Sequence, residues 1–94
     1  MFKQIKMSDY TMQENDVLVD LRDKLTYSFG SIDGAVNIPV DEIDRLYALS
    51  KDKRIVLFCQ SGESSAEIAS LLSELDYNVA DLSGGYREYI KEKL

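Results

Sequence analysis

Histidine is absent from this chain, cysteine occurs once and proline once, and no apolar run is long enough to cross a membrane. Each absence removes a class of function. A lone cysteine without histidine leaves a soft-metal site with almost no donors, so neither a metal nor another cofactor is expected. One cysteine also cannot close an internal disulfide. With no apolar segment of the kind that opens a secretory leader, the chain is expected in the cytoplasm and off the membrane. Basic residues are also in short supply, 11 against 17 acidic ones, for a net charge of -6. That balance argues against nucleic acid, whose binding is dominated by phosphate neutralisation, and against an anionic lipid surface. Proteins or small molecules are the expected partners. At 94 residues the chain makes a single domain, residues 1–94, burying about 60–65% of the surface of its unfolded form.

What is present is organised around Arg54 to Leu75. Ile55, Val56, Leu57 and Phe58 form a continuous run of β-formers, as in a strand buried on both faces of a parallel sheet. Cys59 ends it. From Ser65 onward Ile68, Ala69, Leu72 and Leu75 fall at helical spacing, with Glu67, Ser70, Ser73 and Glu74 facing out. Between strand and helix lies a short polar loop whose Gly62 can take positive φ where the chain curls tightly. Such a curl turns backbone N–H groups inward, and the first turn of the helix adds unpaired N–H groups and the positive end of its dipole. The pattern therefore builds a thiolate site at Cys59 rather than an inert core cysteine. In open α/β sheets, sites lie beyond the carboxyl ends of strands.

Taken in order, the chain predicts a short edge strand at 2–5, flanked by lysines, and a brief helix from a Ser8 cap through Met12. A second strand at 17–20 puts Asp20 and Arg22 at its carboxyl end, where the two are expected to pair as scaffold. Leu25 to Phe29 reads as a short helix closed by Gly30, with Tyr27 and Phe29 in the core. A strand at 35–38 stops at Pro39, which has no N–H for the ladder. Asp41 and Glu42 suit the first turn of a further helix that buries Ile43, Leu46 and Tyr47 and pairs Asp41 with Arg45 on its surface. The last strand, 79–82, leads through Gly84-Gly85 into a terminal helix lined on one side by Tyr86, Tyr89, Ile90 and Leu94. The glycine pair lacks the lysine of a phosphate loop, so it reads as a structural turn beside the Cys59 loop. Strands alternating with helices through short connections give an α/β fold: a mostly parallel five-stranded sheet, its strands at 2–5, 17–20, 35–38, 54–58 and 79–82, with helices on both faces.

Four stretches carry a resemblance: V-L-V-D-L-R from Val17, G-S-I-D-G-A-V-N-I-P from Gly30, I-V-L-F-C-Q-S-G-E-S-S from Ile55 and L-S-G-G-Y from Leu82. In order and spacing the sequence resembles the rhodanese-like domains over nearly its whole length. The resemblance implies a single-domain sulfurtransferase in which Cys59 carries a sulfane sulfur as a persulfide. It implies a substrate-binding cradle made of Gln60, Ser61, Gly62, Glu63, Ser64 and Ser65. The donor would be thiosulfate or a persulfide, and the acceptor a thiol, on a small molecule or a protein, or cyanide. Two departures stand out. Ser31 replaces the histidine the family often has, a change read as structural. Glu63, Ser64 and Ser65 stand where the family often has arginine, which bears on the choice of donor.

Rival readings follow from the same loop. A cysteine phosphatase needs arginine at the end of a Cys-x5-Arg loop to grip the phosphoryl oxygens, and that position is Ser65. A thioredoxin-type oxidoreductase needs a second cysteine. The remaining alternative is a non-catalytic or sulfur-carrier module that works by binding another protein. Glu63 carries a further expectation: a carboxylate about 6 Å from thiosulfate in water-like dielectric repels the dianion by roughly 1.4 kcal/mol before screening. Thiosulfate would then be a poor donor.

Overall fold

In a computed structural model, which describes residues 2–94, five strands form one sheet in the order β1-β5-β4-β2-β3. The strands are β1 (Lys3–Lys6), β2 (Asp16–Asp20), β3 (Val36–Asn37), β4 (Arg54–Phe58) and β5 (Asn78–Ser83). Every pairing is parallel. The expected edge position of the lysine-flanked first strand is observed. The helices are α1 (Lys24–Phe29), α2 (Glu63–Glu74) and α3 (Gly85–Lys93).

The continuous apolar run of β4 is explained by its neighbours. Ile55, Val56, Leu57 and Phe58 are all fully buried because β4 is the centre of the sheet and both its faces are covered. Ile55 and Leu57 point to one side with Val19 and Val79, under Ile68, Ala69 and Leu72 of α2. Val56 and Phe58 point to the other with Leu18, Ala80 and Leu82, under Tyr86 and Tyr89 of α3. The period-two alternation of a strand thus divides one sequence run between two cores.

Some local expectations shift. In place of the helix expected from a Ser8 cap through Met12 there is a 3-10 turn at Met7–Asp9 with no side-chain cap. Val40–Ala48 is 3-10 rather than α, broken by non-helical Glu42, and it buries Leu46 while Tyr47 stays exposed. Arg45 pairs with Glu42 at 2.9 Å, one residue away from the expected Asp41. Phe29 is 83% exposed because α1 is only six residues long and ends there. Leu75, expected on the buried face of α2, is its C-cap and exposed. Ile90 and Leu94 likewise lie open, so the apolar packing of α3 against the sheet comes from Tyr86 and Tyr89.

Far from Cys59, at the start of β2, the register sets Asp16 opposite Arg54. Arg54 Nε and Nη2 donate to the two carboxylate oxygens at 2.7 and 2.8 Å, and the Tyr10 hydroxyl donates at 2.9 Å. The Arg54 guanidinium pulls the Asp16 carboxyl down to about 2, and burial with the Asp16 bond pushes the Tyr10 phenol up. A depressed carboxyl stabilises the fold above its unfolded value near 3.8, and that contribution fades as pH falls through about 2. Discounted for the partly exposed Arg54, it amounts to about 2 kcal/mol. Asp16→Asn is therefore expected to be less stable than wild type by about that much at pH 7, with the difference closing toward pH 2. Urea denaturation of both proteins across this range checks it; a gap independent of pH would show that the pair is not the cause.

Candidate active site

β4 ends at Phe58, whose carbonyl still accepts the Leu21 N–H at 2.9 Å, and Cys59 is the first residue to leave the sheet. The chain then curls back through Gly62 at φ +99° and enters α2 one residue later. Glu63, Ser64 and Ser65, expected in the loop or at its end, form the first helical turn. The helical ladder opens with Ala66 N–H donating to Gly62 O at 3.3 Å, so the three amides before it lie ahead of the ladder.

The Gly62 N–H donates to the Cys59 sulfur at 3.1 Å and the Ser65 N–H at 3.4 Å. The Cys59 thiol and the Ser65 hydroxyl lie 3.5 Å apart. Two backbone donors and the N-terminal end of a twelve-residue helix thus converge on one sulfur, an arrangement that favours negative charge there. Cys59 itself is 6% exposed.

The loop is fixed from behind. Tyr86 N–H donates to Cys59 O at 2.8 Å and Arg87 N–H to Gln60 O at 3.0 Å, so the start of α3 holds two carbonyls of the Cys59 loop. This approach requires Gly85. Its φ is +63°, and a Cβ there would collide with Cys59 O and stand 2.8 Å from the Gln60 carbonyl carbon and oxygen. Gly84-Gly85 is a structural turn beside the cysteine loop, as the sequence predicts.

Arg22 and Asp20 also pair as scaffold. Asp20 is fully buried and accepts from the Arg22 backbone N–H, from Nε, from Nη2 at 2.8 Å and from the Ser31 hydroxyl at 2.7 Å. Arg22 Nη2 also donates to Gly30 O at 2.7 Å, and the guanidinium lies 3.9 Å from the centre of the Tyr86 ring. Ser31 thus has the structural role expected of it.

An open cleft of about 480 Å³ lies over the sulfur, with Cys59, Gln60, Ser61 and Ser64 on one side and Arg22, Asp23 and Thr26 on the other. Of the six cradle residues predicted from sequence, Gln60, Ser61 and Ser64 line the cleft, and Gly62 and Ser65 bond the sulfur. Glu63 is exposed and is not part of the lining. Asp23 and Thr26 were not singled out from sequence, although their place just beyond the carboxyl end of β2 is a signal that could have found them. Asp23 caps α1, and the Thr26 amide and hydroxyl hold its carboxyl below the usual range. Among the described residues the only cation in the lining is Arg22, whose charge Asp20 already matches. Among the described residues no cluster of three metal-ligating side chains occurs, and no helix is long and apolar enough to cross a membrane.

The family model described as a rhodanese-like domain matches residues 6–92. A thiosulfate:glutathione sulfurtransferase of Homo sapiens is 32% identical over 92 residues, covering 81% of this chain and 80% of its own length. A tRNA uridine(34) hydroxylase of Rickettsia prowazekii is 26% identical over 92 residues, 89% of this chain but 37% of that protein. Among solved structures, a rhodanese-related protein of Thermoplasma volcanium superposes with a TM-score of 0.88 at 31% identity, covering 97% of this chain and 93% of that one.

Proposed function

We propose, from the premise that this chain belongs to the rhodanese-like domain family, that it is a sulfurtransferase working through a Cys59 persulfide. The observation that carries the reading is the convergence of the Gly62 and Ser65 amides on the sulfur at the N-terminus of α2. The Cys59 thiolate attacks the outer sulfur of thiosulfate or of a persulfide. A new S–S bond forms, the donor's own S–S bond breaks, and sulfite or a thiolate leaves with the electron pair. The terminal sulfur of the resulting persulfide is anionic, and the N–H groups of the loop and first helical turn stabilise it. A thiolate or cyanide acceptor then attacks that sulfur and restores the Cys59 thiolate. No separate base is needed once the thiolate is formed.

The activity named for the human relative supports thiosulfate as one donor and a small thiol as acceptor. The lining supports a preference within that class. Thiosulfate would meet the Asp23 carboxylate and no unmatched cation, whereas a persulfide brings less charge. Glu63, on the exposed side of the first helical turn, contributes less to this discrimination than the sequence alone implied.

Intact-protein mass spectrometry after incubation with thiosulfate or with a thiol persulfide tests the reading. The chain should gain one sulfur atom from either, several-fold faster from the persulfide at low salt, and cyanide should remove it. Failure to gain sulfur from both donors would return the molecule to the non-catalytic or carrier module.

A further inference from the structure

The cleft over Cys59 is lined by two charged side chains, Arg22 and Asp23, and only the first is matched. The Arg22 guanidinium is buried and paired with Asp20. Asp23 is exposed, and among the described residues no lysine or arginine lies within salt-bridge distance of it. Its carboxylate is nonetheless fixed in place. The Thr26 N–H donates to Oδ1 at 2.8 Å and the Thr26 hydroxyl to Oδ2 at 2.9 Å, and both bonds favour the charged form. A carboxylate has about four acceptor positions, so each oxygen keeps room for another donor.

The charges around it do not cancel it. Lys24 is drawn to Glu42 at 3.4 Å, which Arg45 also holds. Glu63 and Arg87 are exposed and outside the lining, and Asp81 is fully buried in β5. The rest of the lining is uncharged: Gln60, Ser61 and Ser64 beside the sulfur, with Leu21 and Val40 as an apolar wall. A ligand in the cleft therefore meets one fixed negative charge, hydrogen-bonding groups near the sulfur and a short apolar surface between them.

We propose that Asp23 is a specificity-determining residue that selects a substrate with an ammonium group a few atoms from its sulfur: an aminothiol, or the persulfide of one. The ammonium donates to the open acceptor positions of the Asp23 carboxylate while the sulfur reaches Cys59. An aminothiol acceptor attacks, as its thiolate, the outer sulfur of the Cys59 persulfide. A new S–S bond forms, the bond from that sulfur to Cys59 breaks, and Cys59 leaves as a thiolate with the electron pair. An aminothiol persulfide donor runs the same exchange in reverse. Anionic thiols meet the same carboxylate as a repulsion, so charge and not thiol chemistry sorts the substrates.

The inference rests on the sulfur-transfer reading, but its first test needs no sulfur transfer. Cys59 is the sole cysteine, so modification by methanethiosulfonates reports on it alone: its thiolate attacks the reagent's sulfenyl sulfur, an S–S bond forms and methanesulfinate leaves. The 2-(trimethylammonio)ethyl and 2-sulfonatoethyl reagents are similar in size and opposite in charge. Their rate ratio, divided by the same ratio for 2-mercaptoethanol, should favour the cation in wild type at low salt. In Asp23→Asn it should fall about sixfold, the figure for unit charges of either sign about 8 Å from a carboxylate in water-like dielectric, roughly the width of such a cleft. A changed thiolate fraction at Cys59 alters both rates alike and cancels. Asparagine keeps the cap bond to Thr26, and Asp23→Ser takes its place should that variant not fold. Glu74→Gln, the same change of net charge at the far end of α2, should leave the ratio as in wild type. A wild-type ratio equal to that of the free thiol, or one unchanged by Asp23→Asn, overturns the proposal. In transfer itself, cysteamine should discharge the Cys59 persulfide faster than 3-mercaptopropionate, compared per thiolate, and Asp23→Asn should shrink that preference by the same factor. Equal discharge by the two in wild type sinks the selection, whereas failure of every persulfide to load Cys59 sinks the sulfurtransferase reading instead.

Discussion

Cys59→Ser is expected to fold as wild type does and to carry no sulfur. The substituted hydroxyl can accept from the same Gly62 and Ser65 amides that bond the sulfur at 3.1 and 3.4 Å, so the loop keeps its partners and the stability change stays within about 1 kcal/mol. The chemistry does not survive. A hydroxyl is a weak nucleophile at neutral pH, and its oxygen cannot carry a sulfane sulfur as a persulfide carries it. Transfer should fall by on the order of 10³-fold or more, to the background of the reagents. The measurement is paired: urea denaturation for the fold, and sulfur loading with cyanide release for the activity. Transfer at the wild-type rate in a folded variant would show that the anion-favouring loop is not where sulfur is held. Loss of both fold and transfer would leave the loop's catalytic role undecided between packing and chemistry, which is why the denaturation curve belongs to the experiment.

The sequence made this loop legible for a particular reason. Four consecutive buried β-formers, a cysteine, a small polar glycine-containing stretch and an amphipathic helix can be arranged in few ways, and each part constrains the next. The parallel order of the sheet followed from the alternation of elements, and the edge position of β1 from its lysines. What escaped depended on distance along the chain or on where a helix stops. Phe29 looks like core by composition, yet α1 ends at that residue and leaves it in solvent. Leu75 has the right spacing for the face of α2 but falls on its cap. The Ser65 N–H belongs to the cradle the sequence predicts, but its hydroxyl, 3.5 Å from the sulfur, comes there only once Gly62 has curled the chain. Asp81 did leave a trace, a carboxylate within Val-Ala-Asp-Leu. Its burial on the Cys59 face comes from register with strands 24 and 77 residues away in sequence, as the pairs Leu57–Asp81 and Gln4–Asp81 show, and no local pattern encodes that.

Asp20→Ala should be strongly destabilising. Asp20 is fully buried, and both its oxygens are occupied by Arg22, whose side chain is itself 6% exposed. Removing the carboxylate leaves the guanidinium buried with Gly30 O and the face of Tyr86 as its remaining partners. Breaking a buried pair from one side costs about 3–5 kcal/mol, since an uncompensated charge stays behind. For a domain of this size that is a large share of the whole stability and lowers Tm by about 15–30 °C. The effect reaches the site because the same network joins the carboxyl end of β2 to Ser31, Gly30 and the start of α3, which in turn holds the carbonyls of Cys59 and Gln60. The cause is separable from simple loss of packing. If the stranded charge dominates, adding Arg22→Met to Asp20→Ala should recover part of the lost stability, because the second change removes the charge and keeps an apolar stem. Thermal and urea denaturation of wild type, the single variant and the double variant decide it. A double variant no more stable than Asp20→Ala would show that the hydrogen bonds of Asp20 to Ser31 and the Arg22 backbone, not the unpaired guanidinium, set the cost.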